Sequence, residues 1–454
     1  MSALQAFTSR FTKALPCSSP TRLTPHQHTL FAPATGSGRS AVAVIRLTGP
    51  ACAALIAELC GTCPPPRRLS LRTLRGPTGD ILDRGMVVWM PGPGTFTGED
   101  MAELHLHGGL AVRAGVIAAL IARIDCRLAE PGAFTRRAFE NGRIDLTEAE
   151  AVADLIDAET EAQRRQALRQ LDGELGRQVA QWREALIDCL AATEAALDFS
   201  DEGDVDDAAL DVALLARAAT IRDAITSALA DGRRGERLRE GFTVVLAGPP
   251  NAGKSTLLNA LAQRDVAIVS PVAGTTRDAI EVRCDLGGLP VILVDTAGLR
   301  DDTSDPVEAE GIRRTKNWIE AADLVLALQP SDGEPAAPMP GALAVRTKSD
   351  LGGEGGLAVS GVTGHGLDAL LDAIQDRAQA AMGGDALITR DRHRDALTRC
   401  RDHLSRLLAN GPGALPEFAA EDLRLAVRAL GEVAGHVGVE EMLDRLFSEF
   451  CIGK

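Results

Sequence analysis

Residues 248–256 of this chain have the composition of a loop that holds phosphate. They read Gly248-Pro-Pro-Asn-Ala-Gly253-Lys254-Ser255-Thr256, which fits the pattern G-x-x-x-x-G-K-[ST]. An apolar run precedes them and a helix-like run follows, which is the context this pattern requires. Backbone N–H groups of such a loop, with the N-terminus of the following helix, bind the β-phosphate. Lys254 then reaches the β- and γ-phosphates, and the Ser255 hydroxyl ligates Mg²⁺.

Further segments follow in the order typical of nucleoside-triphosphate binding. Residues 274–278 (GTTRD) can supply a switch threonine, and residues 295–298 (DTAG) close an apolar strand. Residues 347–350 (TKSD) and 360–361 (SG) each follow a later apolar segment. The carboxylate of Asp350 suits the N–H donors of guanine, whereas adenine would leave it unpaired. The sequence therefore predicts GTP as the ligand. The residues predicted to bind it are Asn251, Ala252, Gly253, Lys254, Ser255, Thr256, Ser270, Thr275, Thr276, Asp295, Thr296, Ala297, Gly298, Thr347, Lys348, Asp350, Ser360 and Gly361.

Thr347 stands where GTP-binding proteins usually carry the Asn of an N-K-x-D motif. The Asp of that motif, Asp350, is retained and still discriminates between bases. We expect the missing Asn to weaken nucleotide affinity or to loosen the loop more than it alters the choice of base.

Leu299 follows the D-T-A-G segment directly, where many regulatory GTPases place a Gln that orients the attacking water. Leucine cannot hydrogen-bond, so another group must hold that water. The positive charge needed in the transition state has two candidate sources. One is a monovalent cation held by Asn251 and the small residues of 270–276. The other is an arginine, either Arg277 or Arg300 or one from a partner protein, and the residues alone leave both open.

Length and composition limit the remaining choices. A chain of 454 residues predicts two or three domains. Its net charge of −15 argues against a surface built for nonspecific nucleic-acid binding, and we interpret Arg390, Arg392 and Arg394 as a solvated helix face. No apolar run approaches the ~20 residues of a membrane span. Nine cysteines, an odd number, indicate a reducing compartment.

The start of the chain is free of acidic residues as far as Glu58. Such a start, which here carries Arg, Lys, Ser and Thr, resembles a mitochondrial transit peptide. We favour a disordered extension over residues 1–28 of a cytoplasmic protein and keep a mitochondrial location as the alternative.

Three zones follow this extension. Residues 29–144 mix β-like runs with helical stretches and predict an α+β domain. Residues 145–240 and 383–454 show helical periodicity, and an acidic segment from Asp198 to Asp207 is predicted to begin a helix. Between them, residues 241–382 alternate strands and helices as in a doubly wound sheet. The predicted fold class is therefore multidomain α/β, with a nucleotide domain inserted into a helical one. The β-like runs of the first zone are 41–47, 85–90 and 102–106.

Several motifs, in one order, resemble the MnmE (TrmE) family of tRNA uridine-modifying GTPases over nearly the whole chain after the extension. Besides the nucleotide motifs, they are PGPGTFTGED at 91–100, GAFTRRAFENGR at 132–143, DLTEAEAVADLIDA at 145–158 and FCIGK at 450–454. The resemblance implies an N-terminal folate-binding and dimerisation domain, a helical domain and an inserted Ras-like P-loop GTPase domain. That architecture agrees with the three zones.

The resemblance also implies a site for 5-formyl-tetrahydrofolate or a related tetrahydrofolate, on Arg46, Glu103, Arg143 and Lys454. Arg143 departs from the usual Lys, which keeps the charge but changes the hydrogen-bond geometry. Without the resemblance, Glu103 would be interpreted as an exposed strand residue. We interpret the neighbouring His105 and His107 as packing residues rather than metal ligands.

Metal ligands and catalytic residues follow from the same resemblance. It implies Mg²⁺ on Ser255 and Thr276, and K⁺ on Asn251, Ser270, Val272 and Thr275, so the cation now ranks ahead of the arginine. The acid that positions water aligns with Glu308. Cys451, near the chain end, is a candidate nucleophile for one-carbon transfer, or else a structural part of the tail.

The implied activity is GTP hydrolysis in a complex that adds an aminomethyl-type group to C5 of the wobble uridine. The implied partners are tRNA, a second copy of the chain, and an FAD-dependent enzyme of the MnmG (GidA) type in a heterotetramer. Two alternatives remain at this stage. One is a regulatory GTPase of ribosome assembly or signalling, and the other is a folate-dependent transferase acting on a substrate other than tRNA.

Overall fold

The computed structural model describes residues 28–198, 212–264, 266–268, 280–295, 317–333, 339–352, 356–411, 415–437, 440–448 and 450–453. The chain divides into two compact units, one with residues up to 144 and 441–454, the other with residues 145–440. The last residues thus belong to the first unit, although they follow the second helical segment in sequence. Within the described ranges, no helix is long and apolar enough to span a membrane.

A six-stranded sheet in the order β3-β4-β5-β2-β1-β6 forms the centre of the first unit. β1 pairs with β6 in parallel, and the other pairs are antiparallel. Each of the three predicted β-like runs lies within a strand. The strands are β1 Thr29–Pro33, β2 Ser40–Thr48, β3 Ser70–Arg75, β4 Ile81–Met90, β5 Met101–Gly108 and β6 Cys126–Leu128.

The two faces of this sheet differ, because successive side chains of a strand point to opposite sides. On one face, the buried Leu104 and Leu106 of β5 belong to an apolar core shared with helices α1 Cys52–Cys60 and α2 Leu110–Ile121. On the other face, β5 presents Glu103 and His105, which are only half-buried. Helix α3 Ala133–Glu140 covers one end of that second face, and the last helix of the chain is α13 Glu440–Ser448.

The second unit contains another six-stranded sheet, in the order β12-β11-β10-β7-β9-β8. Among its described strands β8 alone runs antiparallel to its neighbour. β7 and β9 are buried and apolar, as the central strands of a doubly wound sheet must be. The strands are β7 Phe242–Ala247, β8 Ile280–Leu286, β9 Leu289–Asp295, β10 Leu324–Pro330, β11 Leu343–Thr347 and β12 Leu357–Ala358. The helices that pack on it are α9 Lys254–Ala262 and α10 Leu367–Met382.

The remaining helices of the second unit include four that share an apolar core of their own, at 174–198, 212–229, 391–410 and 416–434. Two others begin with capping boxes, Asp145 with Glu148 and Thr160 with Gln163, which satisfy N–H groups of the first turn. In chain order, the remaining helices are α4 Leu146–Asp157, α5 Glu161–Leu171, α6 Glu174–Asp198, α7 Val212–Leu229, α8 Arg234–Glu240, α11 Asp391–Asn410 and α12 Pro416–Ala434. The predicted multidomain α/β fold class is confirmed. The acidic segment predicted to begin a helix lies outside the described residues after Asp198.

The arginines at 390, 392 and 394 do not form a solvated face, so that interpretation was wrong. Arg392 donates two hydrogen bonds to the buried carboxylate of Glu150, and Arg390 donates one to Asp154. Arg394 pairs with two further acids in the same unit. Their partners lie more than 150 positions earlier in the chain, and no local pattern reveals them.

Candidate functional site

The phosphate loop lies between the end of β7 and the first turn of α9. Gly253, the residue before that helix, has φ of +84°, a conformation that side chains beyond glycine rarely adopt. Asn251 adopts φ of +63°, which an Asn tolerates better than most residues. This backbone path brings a helix N-terminus to the carboxyl edge of the parallel sheet, where such folds bind their ligands.

Two side chains that follow the loop have defined partners. Nζ of Lys254 donates hydrogen bonds to the carbonyls of Gly248 and Pro249, at 3.0 and 3.1 Å, so the ammonium group lies across the loop. Oγ of Ser255 lies 2.5 Å from Oδ2 of Asp295, the last residue of β9. A hydroxyl and a buried carboxylate at this distance are the oxygen donors that Mg²⁺ prefers. The structure therefore brings Lys254 and Ser255, predicted for phosphate and Mg²⁺, to the strand end that carries Asp295, whereas the other predicted Mg²⁺ ligand, Thr276, lies outside the described residues.

The predicted base-binding loop is assembled on the same edge of the sheet. The hydroxyl of Thr347, at the end of β11, donates a hydrogen bond of 2.6 Å to the carbonyl of Ala252. This hydrogen bond thus connects the predicted base-binding loop, here called the base loop (residues 347–350), to the phosphate loop. Oδ1 of Asp350 accepts a hydrogen bond of 2.6 Å from Ser360, which is buried, and Gly361 packs against the backbone of Thr256.

Lys348 of this loop has a partner, Asp332, that no motif in the sequence indicates. Its Nζ lies 3.0 and 2.8 Å from the two carboxylate oxygens of Asp332, a residue just beyond β10. This contact holds the pKa of the Asp332 carboxyl below its usual value. The ion pair fixes one end of Lys348, whose stem is expected to pack on the base. An acid directly after the preceding strand was the only sequence signal for it.

Several predicted residues lie outside the described residues, and their roles stay predictions. They are Ser270, Val272, Thr275, Thr276, Thr296, Ala297, Gly298, Glu308 and Lys454.

A second cluster of polar side chains lies on the first unit, on the sheet face opposite the main core. Arg46 of β2 and Glu103 of β5 are direct cross-strand neighbours, and Nε of Arg46 lies 3.2 Å from Oε1 of Glu103. The guanidinium group also lies over the ring of Phe134, with its Cζ 5.8 Å from the ring centroid. Its Nε is buried and has no aligned hydrogen-bond partner in the described part of the chain. An arginine held in this way retains donors for an anionic or carbonyl-bearing ligand.

His105 and His107 contact carboxylates, and their role is therefore not the packing we predicted. Nε2 of His105 lies 3.1 Å from Oε2 of Glu103, and Nδ1 of His107 lies 2.8 Å from Oδ1 of Asp83. Glu103 is thereby held on both of its oxygens.

The motif at 91–100 forms a loop that is held by hydrogen bonds from side chains of the motif at 132–143. The buried guanidinium of Arg137 donates a hydrogen bond of 2.7 Å to Glu99, and Asn141 donates one of 2.7 Å to the carbonyl of Thr97. The stem of Arg143 packs against Gly98 in this loop. The sequence placed Arg137 in a motif but gave it no role, because its partner is 38 residues away.

The chain end docks on the same unit. Ile452 forms an antiparallel bridge with Pro131, and Phe450 is buried beside Phe447. Gly453 has φ of +98° and lies so close to β1 that a Cβ there would be 2.6 Å from the carbonyl of Pro33. Cys451 is exposed between these anchors. The described part of the tail therefore ends beside β1, which pairs with β2 at the position of Arg46.

Comparison with known proteins assigns both units to one family. A family model described as "GTP-binding protein TrmE N-terminus" matches residues 29–143, and one described as "MnmE helical domain" matches residues 146–451. A protein of Methylorubrum populi named "tRNA modification GTPase MnmE" is 70% identical over 438 residues, which cover 94% of this chain and 98% of that protein. The protein of the same name from Rhodospirillum rubrum is 49% identical over 459 residues and covers 94% and 99%.

Solved structures give a weaker likeness. The crystal structure of Aquifex aeolicus Era bound to GDP.AlF4- is 23% identical, with a TM-score of 0.25. The match covers 36% of this chain and 66% of that one, and at this score it supports no inference.

Proposed function

This chain belongs to the MnmE family of tRNA modification GTPases, and from that premise we propose how its two sites divide the work. The chain is an enzyme that hydrolyses GTP in tRNA modification. We propose that the modification is an aminomethyl-type group on C5 of the wobble uridine, and that a tetrahydrofolate supplies its carbon. GTP binds the second unit, and we place the folate on the first.

The observation that carries this function is the nucleotide site of the second unit. Three strand ends bring Lys254, the Ser255–Asp295 pair and the Thr347 loop to one edge. Lys254 would exchange its loop carbonyls for the β- and γ-phosphate oxygens of GTP. Ser255 and Asp295 would hold Mg²⁺, which, when bound, neutralises charge on those oxygens. Asp350, already oriented by Ser360, would accept the two N–H groups of guanine.

We propose that a K⁺ ion, held in part by Asn251, takes the place of an arginine in hydrolysis. Leu299 cannot orient water, and Asn251 sits in the phosphate loop with a backbone turn that few residues adopt. The other ligands proposed are Ser270, Val272 and Thr275, with Glu308 as the acid that positions water. When bound, the cation would stabilise charge developing on the γ-phosphate.

A comparison of GTP hydrolysis in K⁺ and in Na⁺ buffer, at equal ionic strength, tests this proposal. The wild-type chain should turn over faster in K⁺, and Asn251→Ala should remove the difference while fluorescent-GTP binding is retained. Equal wild-type rates in the two salts would contradict the proposed K⁺ ion and would favour Arg277 or Arg300 as the source of the positive charge in the transition state.

We propose that the first unit binds the tetrahydrofolate through Arg46 and Glu103, with Arg143 and Lys454 as further contacts. A carboxylate can accept the N–H groups of a pterin edge while a neighbouring arginine donates to the pterin carbonyl, and a basic residue suits the glutamate tail. The buried Arg46 Nε without an aligned partner supports a missing ligand at this place. The exposed Cys451 at the tail remains a candidate nucleophile beside it.

We further propose a homodimer that works on tRNA with an FAD-dependent enzyme of the MnmG type. Mass spectrometry of wobble uridines from a deletion strain, complemented with wild type or Arg46→Ala, tests the modification and its folate dependence. Loss of the modified uridine in the deletion strain, restored by wild type alone, is the expected result. If the deletion strain lacks the modified uridine and Arg46→Ala restores it fully, the result would contradict the folate site and leave the role in tRNA modification intact.

A further inference from the structure

The carboxylate of Glu103 is held at both oxygens by residues of two strands. Oε1 lies 3.2 Å from Nε of Arg46 on β2, and Oε2 lies 3.1 Å from Nε2 of His105. His105 is two positions further along β5, so both side chains are on the same face of the sheet. Its cross-strand neighbours there are Val44 of β2 and Met86 of β4.

The two contacts on Glu103 differ in quality. The Arg46 contact is an ion pair in which Nε has no aligned hydrogen bond. The His105 contact is an aligned hydrogen bond, in which the ring N–H donates to the carboxylate. A glutamate on a strand has three rotatable bonds, and one ion pair of poor alignment does not fix the plane of its carboxylate. The directional contact that fixes this plane comes from His105.

We infer that His105 is a positioning residue of the ligand site on the first unit. Its Nε2 holds the carboxylate of Glu103 in the plane in which that carboxylate accepts adjacent N–H groups of a flat heterocycle. A ligand that meets an oriented carboxylate loses less side-chain entropy on binding. This inference rests on the proposed tetrahydrofolate site and adds a residue that the folate contacts themselves do not include.

His107 provides a matched control on the same strand. It also pairs with a carboxylate, since Nδ1 lies 2.8 Å from Oδ1 of Asp83 and its backbone N–H donates to Oδ2. Its side chain is 71% exposed, against 31% for His105. No hydrogen bond joins His107 to Glu103 within the described residues. A substitution at His107 thus changes the same strand and the same residue type without touching Glu103.

The experiment measures the Kd of 5-formyl-tetrahydrofolate by calorimetry on the full-length chain. His105→Leu removes the donor, and we expect the Kd to rise about five- to tenfold, because the ligand must then order the Glu103 side chain on binding. His105→Gln offers an amide N–H in its place and should restore the affinity to within about threefold of wild type. His107→Leu should leave the Kd unchanged. GTP hydrolysis, measured on each variant, should stay at the wild-type rate because the nucleotide residues lie on the other unit.

Each other result has one meaning. No binding to the wild-type chain would overturn the folate proposal itself. Binding to the wild type with an equal Kd for His105→Leu would overturn the positioning role and leave the folate site intact. Equal losses in His105→Leu and His107→Leu, or no rescue by His105→Gln, would show a general effect on β5 and would also overturn it. If His105→Leu does not fold, His105→Val removes the same donor with a residue suited to strands and is judged by the same outcomes.

Discussion

A single hydroxyl connects the phosphate loop to the loop proposed to bind the base. Oγ1 of Thr347 donates to the carbonyl of Ala252 over 2.6 Å, and Thr347 is buried. The sequence predicted a weaker or looser loop because the usual Asn is missing here. In the structure, the Thr347 side chain is shorter than that of Asn but still forms a hydrogen bond that connects the base loop to the phosphate loop.

Removal of this hydroxyl should weaken GTP binding. We expect Thr347→Val, which keeps the volume, to raise the Kd of a fluorescent GTP analogue in Mg²⁺ about five- to tenfold, since a buried carbonyl loses its partner. Thr347→Ser retains the hydroxyl and should bind within about twofold of wild type. Equal Kd values for the Val and Ser variants would contradict a role for this hydrogen bond.

Residues whose chemistry is local could be placed from the sequence, and residues with distant partners could not. Lys254, Ser255 and Asp350 lie where their motifs put them. Asp332 and Arg137 escaped notice because the first depends on a lysine 16 positions later and the second on a glutamate 38 positions earlier. Spacing within a motif carries no information about contacts of that length.

Helices α4 and α11 are joined by a buried cluster of charges. Glu150 of α4 accepts hydrogen bonds from Nε and Nη2 of Arg392, at 2.5 and 2.6 Å, and lies 2.9 Å from Nε2 of His393. Burial alone would raise the pKa of Glu150, but the nearby Arg392, His393 and Arg390 outweigh it and hold that pKa below its usual value. Burial, with the charge of Arg392, lowers the pKa of His393 from 6.5 to about 4.

This cluster should make the helical part of the second unit sensitive to acid. Both pKa values are lower in the folded state, so the unfolded state binds more protons as the pH falls. The stabilisation is complete above about pH 6.5. The contribution of His393 is lost between pH 6.5 and about 4, and that of Glu150 is lost below its unfolded pKa of 4.5. Amide hydrogen exchange of α4 and α11, corrected for the intrinsic rate, should show less protection at pH 5 than at pH 7.5.

His393→Gln is the control for this pH dependence. It keeps a neutral donor for Glu150 and removes the group that titrates between pH 6.5 and 4. We expect its protection to change little between pH 7.5 and 5. A wild-type chain with the same protection at both values would show that His393 does not govern the packing of these helices.

At the scale of elements, periodicity predicted much of the fold. The β-like runs at 41–47, 85–90 and 102–106 lie within β2, β4 and β5, and helical periodicity at 145–240 agrees with helices such as α4. The arginines around 392 were misjudged because a charged run looks solvated until its partner is known. Glu150 lies 242 residues before Arg392, and only the tertiary structure brings their side chains together.

The two units of the molecule differ in charge far more than their sizes suggest. Residues 28–144 and 441–454 of the first unit hold 15 basic and 12 acidic side chains, a net charge of +3, whereas residues 145–440 of the second hold 30 and 51, a net charge of −21. The pairing of arginines differs as well. Arg164 and Arg165 of α5 share one acid, Glu161, whereas Arg75 and Arg84 of the first unit are exposed and form no ion pair with a described residue.

A polyanionic substrate such as tRNA should therefore meet the first unit. Arg75 and Arg84 lie on the adjacent strands β3 and β4, close to the turn that joins them. Arg75 donates to the backbone carbonyl of Gly79, and neither arginine pairs with a described carboxylate, so none of these must be displaced when phosphate arrives. The overall charge of −15 concealed this surface, because a net value averages over a basic unit and a strongly acidic one.

The pair Arg75→Glu with Arg84→Glu should weaken tRNA binding about tenfold at moderate salt and lower the slope of log K against log[salt] by about 2, one for each lost phosphate contact. Arg164→Glu with Arg165→Glu reverses the same number of charges on the second unit, where Glu161 already neutralises them in part. We expect the control to change both quantities by much less, since its arginines lie in the acidic unit. Fluorescence anisotropy of labelled tRNA over a salt series measures both. An equal loss in the two double variants would mean that total charge, rather than the basic surface of the first unit, governs the encounter.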